Sequence, residues 1–173
     1  MRRVASILAV ALALLGAGCG GATPIGDGML SLGGTAIDGS GFLPLTGDQE
    51  LVSGSQGGFH IWLKFRIHGM SPEPVTVHRT ARRISDNRLL LQGEGTTEVG
   101  APDETGTWEL PSAFPTFLCP SPLGVDLIGQ PVRFRVELIG PDGAAIDAAE
   151  SDATPRCPTD NQAPFCQRIC SGQ

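Results

Sequence analysis

Phe59, Ile61, Leu63, Phe65 and Ile67 alternate with His60, Trp62, Lys64, Arg66 and His68. Period two sends successive side chains to opposite faces of a pleated strand, so residues 58–69 predict one long strand with an apolar and a polar face. A helix would scatter the five apolar side chains around its circumference. The pattern returns at residues 132–138, where Val132, Phe134, Val136 and Leu138 point one way and Arg133, Arg135 and Glu137 the other. Shorter stretches read as strands at residues 29–32, 49–52, 75–84, 88–92, 107–110 and 144–151. On the third of these, Val75 and Val77 face away from Thr76 and His78. Asp86-Asn87 and Pro141-Asp142-Gly143 supply turns between neighbouring strands. Pro44 makes residues 39–47 an edge strand or an irregular segment, and four prolines make residues 111–122 an extended connection. No stretch keeps apolar residues at spacings of three and four over a dozen positions, and no repeat of fixed period is present.

These elements predict an all-β chain, an antiparallel β-sandwich of about seven strands with a disulfide-bonded C-terminal tail. The run G-x-P-V-x-F-x-V-x-L at residues 129–138, followed by the Pro-Asp-Gly turn, resembles the last hairpin of immunoglobulin-like and fibronectin type III-like domains. That resemblance implies an immunoglobulin-like sandwich. The Cys-Trp-Cys order of antibody domains is missing, because Trp62 and Trp108 both precede Cys119.

The amino terminus changes the picture from fold to address. Arg2 and Arg3 precede an apolar run at residues 4–17, which is shorter than the about 20 residues that span a bilayer as a helix. Gly16, Ala17 and Gly18 then lead to Cys19. This segment resembles a bacterial lipoprotein precursor, with the usual leucine standing four rather than three residues before the cysteine. The resemblance implies a signal peptide at residues 1–18, an acylated Cys19 and a tether over residues 19–28. It also implies attachment to the membrane through that lipid, in the cell envelope. Gly20 and Gly21 in place of an Asp retention signal favour the outer membrane. Residues 56–62 resemble a run in exported lipoproteins of similar length, and no activity comes with it. The sandwich is expected over residues 29–153 and the tail over residues 154–173.

Charge and cysteine usage agree with export. The net charge of −6 becomes −8 without Arg2 and Arg3, so nucleic acid is excluded as a partner. Five cysteines are present. If Cys19 carries lipid, Cys119, Cys157, Cys166 and Cys170 form an even set, expected to make two disulfides in an oxidising compartment.

No catalytic signature is found. The chain has no nucleophile elbow, P-loop, dinucleotide fingerprint or H-E-x-x-H motif, so it is read as a non-enzyme without a cofactor. Two other readings stay open. A metal-binding module would draw on His60, His68 and His78, but His60 and His68 stand roughly 26 Å apart along one strand, leaving His78 to meet one of them across a ladder. A hydrolase would pair Ser53 or Ser55 with His60. The remaining candidate is a surface. His60, Trp62, Lys64 and Arg66 share the polar stripe of the long strand, and Arg79, Arg82 and Arg83 add positive charge on the next one. Such a stripe suits an envelope protein or glycan partner, with Trp62 at least partly exposed.

Overall fold

The computed structural model describes residues 29–173. The expectations at residues 1–28, including Cys19, lie outside the described residues.

The long strand forms as its alternation dictates. It is β4 (Phe59–His68), the axis of the first sheet. β1 (Leu30–Gly33) and β7 (Thr107–Glu109) flank its second half on opposite edges. β3 (Val52–Ser53) and β8 (Phe114–Cys119) do the same for its first half. The second sheet runs β2 (Gly47–Glu50), β10 (Ala145–Arg156), β9 (Val132–Ile139), β5 (Pro74–Arg83), β6 (Leu89–Glu98). Every pair is antiparallel except β2 on β10, which is parallel. The chain visits the second sheet briefly at β2 between β1 and β3, crosses to it again between β4 and β5, returns between β6 and β7, and crosses over once more between β8 and β9. This is the immunoglobulin-like arrangement of two packed sheets, and neither sheet closes on itself.

The described strands number ten rather than about seven. The strands not read from the sequence are β8 and the two-residue β3. β8 corrects the extended connection read from its prolines. Pro115 sits within a strand that pairs only with β4, an edge position where a missing N–H is tolerated. β10 runs past Ala153 to Arg156 because β2 pairs with those last residues.

Inward residues of β4 and β9 meet across the sandwich. Phe59, Ile61, Leu63, Phe65 and Ile67 are all buried, as are Val132, Phe134, Val136 and Leu138. Two apolar clusters result, one toward each end of β4.

The tail is more than a covalently tied segment. It forms α1 (Ala163–Cys170), whose Cys166 and Cys170 are fully buried. Its C-terminal end docks by backbone hydrogen bonds onto the β8–β9 loop: Ser121 N to Ile169 O, Leu127 N to Cys170 O, and Gly124 N to Gly172 O. Gly172 has φ +71°, and a Cβ there would strike the backbone of Val125, so only glycine fits.

Candidate functional site

The outward stripe of β4 is not open, as the alternation alone implied. His60 is 3% exposed and Lys64 7%, both corrections to the expected surface. The cause is cover. His60 lies edge-on to Trp62 at 4.4 Å and beside Phe117 of β8 at 4.9 Å. Residues 34–46 fold back over the same face, held by paired backbone bonds between Gly34 and Leu43. Trp62 is half-buried, and its Nε1 donates to Ile37 O at 3.0 Å. Gly39, with φ +83°, comes against the Trp62 ring where a larger residue would be strained. Lys64 Nζ pairs with Glu109 Oε1 at 2.5 Å. Arg66 stays exposed; its guanidinium binds Glu109 Oε2 at 2.7 Å and lies 4.1 Å over the Phe42 ring.

His60 carries a consequence. Neither ring nitrogen has a hydrogen-bond partner, and burial pushes its pKa below the ordinary 6.5. The unfolded chain takes up a proton near pH 6.5, whereas the folded ring resists it. The unfolded state therefore binds more protons as pH falls through that value, and stability drops. The melting temperature is expected to fall between pH 7.5 and 5.5, and to fall less in His60→Phe. Equal slopes for the two proteins would show that His60 is solvated.

Beyond Arg66 the stripe opens into a polar cleft of about 300 Å³. Ser31, Arg66, His68, Asp103, Thr107 and Glu109 line it. Asp103 is fixed by its own loop: Oδ1 accepts from Thr105 N, Thr105 Oγ1 and Thr107 N at 2.8, 2.7 and 3.1 Å. The Thr105 hydroxyl leads in holding this carboxyl below the usual range. The Lys64 ammonium does the same for Glu109, with Arg66 assisting. His68 Nδ1 stands 3.3 Å from Thr107 Oγ1. The cleft thus offers fixed carboxylates, a cation and hydroxyls, a set that hydrogen-bonds a polar ligand.

The four described cysteines pair as Cys119–Cys170 and Cys157–Cys166. The sulfurs of Cys157, Cys166 and Cys170 lie within 4.8 Å of one another, close enough to hold an ion, but as disulfides they offer no thiolate. The histidines do not converge. His60 and His68 stand on the outer face of the first sheet, while His78 lies in the second sheet and pairs with Glu94 at 2.9 Å. The ladder pairing that would join two of them is not formed. His60 also bonds to neither Ser53 nor Ser55.

Sequence reasoning placed Arg79 among outward positive groups, and its position is different. Val136 and Gly93 flank it on the adjacent strands, and it faces inward with Val75, Val77 and Ala81. The signal was present: Val75, Val77, Arg79 and Ala81 fall on one face at period two. Thr116, fully buried opposite Ile61, went unread because β8 did.

No protein-family model and no curated protein matches the chain. Among solved structures, the N-terminal domain of PorA aligns with 73% of this chain and 96% of its own, at 14% identity and a TM-score of 0.31. A likeness at that score carries no argument about fold or function.

Proposed function

We propose that this is an exported, lipid-anchored domain of the bacterial cell envelope whose role is binding or scaffolding. The disulfide pairing carries the reading. Of five cysteines, four are consumed in two mutual bonds. The remaining one is Cys19, where the lipoprotein-like segment calls for an acyl group. Disulfides belong to oxidising, exported compartments. The acidic net charge gives no electrostatic hold on an anionic membrane, so attachment falls to the lipid. Within the domain, the cleft beside Arg66 suits an envelope protein or glycan, since it presents both signs of charge and hydroxyls on a rigid sheet.

In its own cells the wild-type chain is expected in the membrane fraction. Cys19→Ser should appear in the soluble fraction or stall as the precursor. A Cys19→Ser chain that keeps wild-type mass and partition would contradict the anchor. For the cleft, Arg66→Glu is expected to weaken retention of the purified protein on isolated envelopes about tenfold, or 1.4 kcal/mol. Arg88→Glu, on an exposed turn, should leave retention unchanged. Equal retention by both variants would move the contact elsewhere.

A further inference from the structure

Arg79 is a half-buried cation on the inward face of β5. Its guanidinium crosses between the sheets to lie 4.3 Å over the ring of Phe114 on β8. Among the described residues no carboxylate lies within ion-pair distance of it, and its buried Nε has no hydrogen-bond partner. Burial disfavours its charged form. Thr116 is the next inward residue along β8, and its buried Oγ1 also has no partner. Arg79 is thus a half-buried cation held against an aromatic ring with no counter-charge, and a bound anion would supply one.

The flank beside Arg79 is built to admit one. A Cβ at Gly93 would come within 3.3 Å of Arg79 Nη2, which places the guanidinium tip beneath β6 at a position where glycine leaves it room. At Gly95, the next residue on that face, a Cβ would meet nothing within 4 Å. β6 ends the order of its sheet, so ten residues present an edge that is unpaired among the described residues. An unpaired edge is a template for another strand.

We propose that the β6 flank binds an extended peptide by strand addition, with an acidic side chain of that peptide turned inward past Gly93 or Gly95 to meet Arg79. A strand added to β6 would run about 4.8 Å beyond it. Its inward side chains would then stand beside the guanidinium already lying under β6. On the outward face, Glu94 and Glu98 are exposed and repel acid there. The ligand is therefore acidic at an inward position and neutral or basic at its outward neighbours. A second copy of β6 does not meet this rule, because its own inward residues are Leu91, Gly93, Gly95 and Thr97.

The test uses the full mature protein and the peptide acetyl-Thr-Val-Lys-Glu-Lys-Val-Thr-amide, titrated by calorimetry. It is expected to bind at least tenfold tighter than the same peptide with Gln for Glu. Arg79→Gln should abolish that preference while Arg66→Glu leaves it intact, which separates this site from the cleft. Of two peptides N-methylated on alternate residues, one should lose binding, since only one set of N–H groups faces β6. Equal affinity for the Glu and Gln peptides, measured on the unaltered protein, would overturn the proposal whatever Arg79→Gln does to folding. So would a preference that survives in a folded Arg79→Gln protein, or undetectable binding at millimolar peptide. Full binding by both N-methylated forms, with free glutarate as competitor, would make this a small-anion site and overturn strand addition.

Discussion

Replacing Cys119 and Cys170 together by alanine is expected to cost about 4 kcal/mol, from the loop-closure entropy returned to the unfolded chain. The bond joins residues 51 apart, the end of β8 to the end of α1. The Cys157–Cys166 bond spans only nine residues, and the same relation gives about 2.6 kcal/mol for its loss. The longer bond also holds the docked tail. Without it, the backbone bonds from Ser121, Gly124 and Leu127 must order the C-terminal residues alone, against roughly 1–2 kcal/mol of backbone entropy for each. Urea denaturation of the two double variants checks the order. A smaller loss for Cys119/Cys170 than for Cys157/Cys166 would mean that the tail is not docked as described.

Phe65→Ala is expected to cost about 3–5 kcal/mol. Phe65 is 1% exposed and packs against Trp108 and Phe114, with ring centroids at 6.0 and 6.2 Å. The adjacent Lys64→Ala makes the control, and the structure changes what is expected of it. Read as an outward lysine, it should cost little. Buried and paired with Glu109, its loss removes packed methylenes and one of two cations on that carboxylate. Its cost should exceed the roughly 0.5 kcal/mol of an ordinary surface change. It should stay below that of Phe65→Ala, because Glu109 keeps Arg66. Equal thermal shifts for Phe65→Ala and Lys64→Ala would show that β4 does not bury one face preferentially.

The parts of the fold legible in the sequence are those where one physical rule decides alone. β4 and β9 alternate without exception because each packs one face onto the other sheet. Asn87, with φ +55°, and Gly143, with φ +81°, turn the chain where the turn signals stood. Reading failed where tertiary context overrides the local rule. The prolines of residues 111–122 argued against a strand, yet β8 forms because its far edge needs no partner. α1 has only eight residues, with Phe165, Cys166, Ile169 and Cys170 repeating at spacing four, too short a run to register. Its stability comes from the disulfides and the loop beneath it. For the candidate surface, the alternation sorted the faces of β4 correctly. It could not foretell that residues 34–46 and Phe117 roof the second face, since nothing in β4 itself encodes its cover. Arg66 and part of Trp62 remain reachable, and Arg66 leads into a cleft lined by Asp103 and Glu109, which no sequence motif singled out.

As proposed, the exported domain has one acylated cysteine, Cys19, beside the four that pair. Intact mass of the protein extracted from its own membranes tests it most directly, with alkylation before reduction to count thiols. The expected species begins at Cys19, carries acyl mass on that residue and takes up no alkylating agent. A chain without lipid, or one alkylated at Cys119, Cys157, Cys166 and Cys170, would contradict it.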